Sequence, residues 1–275
     1  MSAVSQMQRL SVSKVRARKG GDPIVCLTAY TSPIAHILDS FVDLILVGDS
    51  AAMVVHGHET TLPITLDLMI AHAQAVVRAS TRALVALDLP FGSYEAGPEQ
   101  AFAAAARAMK EAGVGAVKLE GGRRMAPTIE FLTGRGVPVI AHIGLLPQAI
   151  QTAGGYRTAG RVREEWDPVI ADAKAVADAG AFAVVLEGMA EPLAAEITKL
   201  VSIPTIGIGA SPTCDGQILV TEDLLGLSVS GRVPKFVKRY ADLNKIITEA
   251  VASYAGDVKA RRFPAAEHTY ALKQS

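Results

Sequence analysis

The sequence predicts an α/β fold: a single (β/α)8 barrel domain over residues 1–275, with an N-terminal helix and an extra C-terminal helix. Three observations carry this. Short apolar runs alternate eight times with helix-like stretches between residues 24 and 254, which is the pattern of a parallel sheet buried on both faces. No repeat of fixed period, low-complexity tract or linker marks off a second domain. Five consecutive strands end at a charged or titratable residue, where barrel enzymes keep their catalytic groups. The same alternation also allows an open doubly wound sheet, since strand count alone does not prove closure.

The first twenty residues hold a short amphipathic helix in this reading, with Ser11 as N-cap and Val12 and Val15 turned inward to close the bottom of the domain. The basic residues around it, Arg9 to Lys19, also have the look of a transit peptide. The first strand is 24–29, followed by a helix over about 33–40 and a second strand, Leu44-Ile45-Leu46-Val47, that runs into Gly48-Asp49-Ser50. Gly48 lets the backbone turn or come close to a ligand. A loop of mixed polarity through His56, His58 and Pro63 precedes an amphipathic helix with Leu66, Met69, Ile70, Ala73, Val76 and Val77 at helical spacing.

The third strand, 83–87, ends at Asp88, and an alanine-rich helix over 98–112 stops at Gly113. The fourth strand is 116–120. After a helix to about residue 133, the fifth covers 137–141 and ends at His142. The glycine-rich stretch from Thr152 through Gly154, Gly155 and Tyr156 has the composition of a lid or binding loop. A helix over about 167–179 leads to the sixth strand, 181–186, ending at Glu187. The seventh (203–208) and a weaker eighth (217–220) flank the Cys214-Asp215 turn, and Phe236, Tyr240, Leu243, Ile246, Ile247, Ala250, Val251 and Tyr254 mark the C-terminal helix.

Half of the residues are apolar but only 5% are aromatic, so the core is aliphatic. The 27 basic residues balance the 27 acidic ones, which removes the electrostatic footprint of a nucleic-acid binder and favours a small-molecule ligand. Two distant cysteines, Cys26 and Cys214, argue for a reducing compartment, and hence a cytoplasmic protein. No apolar run approaches the roughly 18 residues of a membrane span.

Asp49, Asp88 and Glu120 would repel one another if gathered at one mouth, and a cation would relieve that repulsion. Oxygen donors without cysteine suit a hard ion, best Mg²⁺. Lys118 lies two residues before Glu120, on the same side of its strand, so its ammonium can meet an anionic substrate or one of the acids. Glu187, two strands further round, is free to act as a base. His142 reads either as a second donor or base or as a structural histidine. His56, His58 and His72 have no spacing that pairs them with the acids.

The motifs Val47-Gly48-Asp49-Ser50, Gly57 to Pro63, Asp88-Leu89-Pro90-Phe91, Val117 to Gly122, His142-Ile143-Gly144-Leu145-Leu146-Pro147-Gln148, Gly154-Gly155-Tyr156 and Cys214-Asp215-Gly216-Gln217 occur in this order. In them the chain resembles the ketopantoate hydroxymethyltransferase family over residues 10–268. The Arg18-Lys19-Gly20-Gly21 stretch looks like the end of that family's N-terminal helix. The resemblance implies a transferase of pantothenate biosynthesis, the route to coenzyme A. Such an enzyme moves a hydroxymethyl group from 5,10-methylenetetrahydrofolate to 3-methyl-2-oxobutanoate, giving 2-dehydropantoate. It further implies Mg²⁺, one per subunit, at Asp49, Asp88 and Glu120; substrate contacts at Asp49, Ser50, Asp88 and Lys118; Glu187 as proton acceptor; and a homo-decamer. One departure is Ser211, where the family pattern has glycine. The competing readings are a related Mg²⁺-dependent lyase of 2-oxo acids and a non-catalytic 2-oxo acid binder. The first is disfavoured by the lack of a cysteine beside the Lys118 strand or in the lid, the second by the separate Glu187.

Overall fold

The computed structural model describes residues 9–227 and 233–272. In the first half of the chain the elements run α1 (Val12–Arg16), β1 (Ile24–Thr28), α2 (Ser32–Leu38), β2 (Leu44–Val47), α3 (Ala51–Val54), α4 (Leu66–Ala79), β3 (Leu84–Asp88), α5 (Pro98–Arg107) and β4 (Ala116–Glu120). They continue as α6 (Ala126–Thr133), β5 (Val139–Gly144), α7 (Ile150–Ala153), α8 (Trp166–Asp178), β6 (Ala183–Glu187), α9 (Glu191–Leu200), β7 (Thr205–Ile208), β8 (Gly216–Leu219), α10 (Thr221–Leu225) and α11 (Leu243–Lys259). By compactness the chain divides into two units, one ending at Thr221 and the other beginning at Glu222.

In the first unit the eight strands form a closed parallel barrel in sequence order. Closure is made by β1 on β8, with Ile24 opposite Gly216 and Cys26 opposite Ile218, so the open-sheet alternative falls. Side chains of a strand alternate between faces, and the two faces fill two cores. Inside the barrel lie Ile24, Cys26, Leu44, Leu46, Leu84, Ala86, Ala116, Ile140, Ala183, Val185, Ile206 and Ile218. The alternate residues, among them Ile45, Val47, Val85, Leu87, Val117, Leu119, Val184 and Leu186, meet the helices. Full burial of each such aliphatic side chain contributes about 1.5–3 kcal/mol.

The helix at the N-terminus forms as expected. Ser11 Oγ accepts the Lys14 N–H at 3.3 Å, and Val15 is buried against the barrel interior with Leu10 and Val12 beside it. The Arg18-Lys19-Gly20 stretch is then anchored: Arg18 to Asp43 at 2.8 Å, and Lys19 and the Gly20 N–H to Asp215 at 2.9 and 2.7 Å. Asp215 also accepts the Thr205 N–H at 2.8 Å, so it ties the N-terminal segment to β7.

Departures from the expected boundaries have physical causes. β5 starts after Pro138, which has no N–H to give the ladder, and runs on to Gly144, so His142 lies within the strand. β6 and β7 begin two residues late, β7 after Pro204. The C-terminal helix starts only at Leu243, where Asp242 caps the Lys245 N–H at 3.2 Å; Phe236 and Tyr240 precede it. α3 directly follows Ser50, in a stretch where the sequence shows no helical periodicity. Ser211 is buried, and its hydroxyl donates to Glu191 Oε1 at 2.8 Å at the start of α9, so the departure from glycine has found partners.

Candidate active site

The alternation that builds the interior also builds the site. In β3 the inward series Leu84, Ala86 ends at Asp88; in β4 Ala116 is followed by Lys118 and Glu120; in β5 Ile140 by His142; in β6 Ala183 and Val185 by Glu187. Strand register sets them side by side, with Asp88 opposite Lys118, Glu120 opposite His142 and Gly144 opposite Glu187. Acids and bases therefore alternate around one end of the barrel. Asp49, Asp88, Lys118, Glu120 and His142 are all buried, while the Glu187 side chain keeps 18% of its surface exposed.

Lys118 Nζ lies 2.6 Å from both carboxylate oxygens of Asp88. Burial pushes the Asp88 carboxyl up to about 7; the Lys118 ammonium opposes this, and Asp49 and Glu120 add to it. Burial works against the charge of Lys118, but Asp88, Glu120 and Asp49 outweigh it and hold the ammonium above the ordinary lysine range. His142 stands between two acids, with Nδ1 3.5 Å from Glu120 Oε1 and Nε2 3.3 Å from Glu187 Oε2. Burial and Lys118 would depress its pKa, yet Glu120 and Glu187 raise it to about 9.

Asp49 follows β2, and its N–H points to Asp88 Oδ2 at 3.5 Å. Gly48 keeps negative φ, so its role is close approach: a Cβ there would lie 2.9 Å from Ser50 Oγ. That hydroxyl pairs with the buried Tyr30 OH at 2.8 Å. The lid sequence forms α7 and then turns at Gly154 and Gly155, both with positive φ. Tyr156 beyond them is exposed, and its hydroxyl pKa is raised by partial burial and by Glu187, Asp49 and Glu120. His56 and His72 pair with each other at 2.9 Å, and His72 Nδ1 donates to the Tyr30 carbonyl.

Sequence reasoning missed Gln148 and Tyr94. Gln148 Nε2 donates to Asp49 Oδ2 and to the Leu89 carbonyl, both at 3.0 Å, and its main-chain N–H donates to Glu120 Oε2 at 3.0 Å. Tyr94 OH donates to Gln148 Oε1 at 2.5 Å and accepts the Glu120 N–H at 3.2 Å. Gln148 closes one of the quoted motifs, but nothing in its spacing shows that it reaches back to β2.

Among the described residues no three His, Cys, Asp or Glu side chains stand ready as a metal cluster; Lys118 covers Asp88, and Gln148 covers one oxygen each of Asp49 and Glu120. Mg²⁺ does not require three, since it binds through one or two carboxylates and leaves the rest to water and substrate. The donor set fits it: three buried acids face one lysine and one histidine, and Glu120 Oε1 is buried with no hydrogen bond, His142 Nδ1 lying 3.5 Å from it.

A closed parallel barrel that gathers buried carboxylates, a lysine and a histidine at one mouth, beside a partly open carboxylate, is built as an enzyme for a small anionic substrate. Within that class the chain belongs to the ketopantoate hydroxymethyltransferase family, whose model matches residues 9–266. A 3-methyl-2-oxobutanoate hydroxymethyltransferase from Parvibaculum lavamentivorans is 61% identical to it over 275 residues, all of both chains. Among solved structures, phosphoenolpyruvate phosphomutase from Streptomyces platensis subsp. rosaceus shares the fold at TM-score 0.61 and 16% identity, over 96% of this chain and 92% of that one. A phosphonopyruvate hydrolase complex with oxalate and Mg²⁺ does so at TM-score 0.59 and 12% identity, over 94% and 93%.

Proposed function

We infer that this chain transfers a hydroxymethyl group from 5,10-methylenetetrahydrofolate to 3-methyl-2-oxobutanoate, giving 2-dehydropantoate for pantothenate synthesis. Full-length kinship with the Parvibaculum enzyme supports the reaction, and one observation carries the residue roles. A partly exposed carboxylate, Glu187, stands across His142 from a buried Lys118–acid cluster.

Asp49 and Asp88, with Glu120 beside them, would hold Mg²⁺, which when bound supplies Lewis-acid stabilisation of an enolate oxygen. The oxalate and Mg²⁺ of the hydrolase complex support an ion of this kind in this fold. Lys118 balances the substrate carboxylate, and the Ser50 hydroxyl helps orient it. Glu187 takes the C3 proton, and His142 beside it steadies the carboxylate charge. C3 then bonds to the one-carbon unit. Because that unit arrives bound to two folate nitrogens and carries no oxygen, both carbon–nitrogen bonds break, water supplies the new hydroxyl, and tetrahydrofolate leaves with the proton taken from C3 and the second proton of that water.

The lyase and the non-catalytic binder are less well supported, since the full-length relative is a transferase and a binder has no use for Glu187. The homo-decamer and the cytoplasmic location belong to the same proposal. Among the described residues, no helix is long and apolar enough to cross a membrane. The decisive variant is Glu187→Gln. It should still bind Mg²⁺ and the 2-oxo acid but lose exchange of the C3 proton into deuterated water; normal exchange would dispose of Glu187 as the base.

A further inference from the structure

Gln148 is the point at which the tips of three strands are tied together. It sits in a tight turn, Pro147–Ala149, directly after β5. Its amide uses every polar atom: both N–H groups donate, to Asp49 at the end of β2 and to the Leu89 carbonyl after β3, and the carbonyl oxygen accepts from Tyr94. The orientation is fixed by chemistry, because a flipped amide would set its oxygen against a carboxylate and a carbonyl. The main-chain N–H takes Glu120 at the end of β4, and Tyr94 OH closes the loop by accepting the Glu120 N–H. Both Gln148 and Tyr94 are buried.

The oxygens divide cleanly. Gln148 occupies Oδ2 of Asp49 and Oε2 of Glu120. That leaves Oδ1 of the first and Oε1 of the second, which is buried with no hydrogen bond and has His142 Nδ1 beside it at 3.5 Å. A residue that only filled space would not select one oxygen from each of two acids on different strands.

We propose that Gln148, braced by Tyr94, is a positioning residue: it fixes Asp49 and Glu120 so that one oxygen of each is presented to the cation and the 2-oxo acid. This rests on the proposed function for what the two acids hold, and it assigns Gln148 no contact with the reacting atoms. Groups that orient metal ligands typically account for about 10–100-fold in metal affinity.

The test uses the full chain and Mn²⁺ as probe, with free Mn²⁺ read by electron paramagnetic resonance, a signal that does not depend on turnover. Gln148→Ala should weaken Mn²⁺ binding by about 10–100-fold. Tyr94→Phe, which removes one hydroxyl and keeps both Gln148 donors, should weaken it less but in the same direction, and it decides the matter if Gln148→Ala does not fold. Folded variants that hold Mn²⁺ as tightly as the wild type, which itself exchanges the C3 proton, overturn the positioning role alone. A wild type that binds Mn²⁺ and shows these losses, yet neither exchanges the proton nor transfers the one-carbon unit, upholds the positioning role and sinks the proposed reaction.

Discussion

Lys118 and Asp88 are register partners on adjacent strands, and the ammonium lies 2.6 Å from both oxygens of the carboxylate, with both side chains buried. Removing one member of a buried ion pair leaves the other uncompensated, at a cost of about 3–5 kcal/mol. Lys118→Met keeps much of the stem's volume but leaves Asp88 with two like-charged neighbours. Its unfolding free energy should fall by about 3 kcal/mol or more in urea titrations, with activity lost. A loss well under about 1 kcal/mol, the level of an exposed pair, would mean that the contact contributes little.

At the opposite end of the barrel, Asp215 accepts hydrogen bonds from the Thr205 and Gly20 N–H groups and from Lys19. Burial would raise its pKa, but these donors bring it below the ordinary carboxylate value. A depressed native pKa means that the stabilisation is fully present above the unfolded value of about 3.9 and disappears as pH falls through the lower native one. Asp215→Asn should therefore cost about 1–3 kcal/mol at neutral pH. The gap from wild type should stay level down to about pH 4 and close below it. A gap that closes between pH 7 and 5 would point to another group.

Much of this architecture was legible because it follows from local rules. Runs such as 44–47 and 84–87 are apolar on both faces, and the polar strand ends follow from the same period-two alternation, so Asp88, Lys118, Glu120 and Glu187 fall where a barrel mouth must be. His142 was legible as a residue but not as a bridge, because the extension of β5 to Gly144 depends on pairing with β6. Gln148 was hidden for a similar reason: its partner Asp49 is 99 residues away, and only closure of the barrel brings them together. Asp215 could be seen in its motif, but its task, anchoring Lys19 and Gly20, lies 195 residues back along the chain.

In the second unit, Ile246, Ile247, Val251, Tyr254 and Val258 of α11 are all exposed. Apolar exposure repeated along one helix marks a protein-binding surface more often than an ordinary one. With a homo-decamer proposed, Ile246→Glu combined with Val251→Glu should shift the sedimentation profile to smaller species while the α/β circular dichroism signature stays intact. An unchanged profile would exclude this helix from the subunit contact.

Gly144 offers the sharpest separation between binding and chemistry. Its φ is 97°, which favours glycine, and a Cβ there would lie 2.3 Å from the carbonyl oxygen of Glu187 and 3.3 Å from its nitrogen. Neither neighbour is a flexible side-chain end, so Gly144→Ala must push β5 and β6 apart at the residue proposed as the base. The Leu145 N–H bond to that same carbonyl, 2.9 Å long, would be disturbed as well. Asp49, Asp88 and Glu120 sit at the ends of other strands, but Gln148, which holds two of them, follows Gly144 by four residues, so Mn²⁺ affinity should fall much less than proton exchange does. A misplacement of about 1 Å can cost about a hundredfold in rate, and C3 proton exchange should fall by that order. Parallel loss of metal binding and exchange would instead indicate general collapse of the mouth, and wild-type exchange would show that Glu187 does not depend on the pairing of β5 with β6.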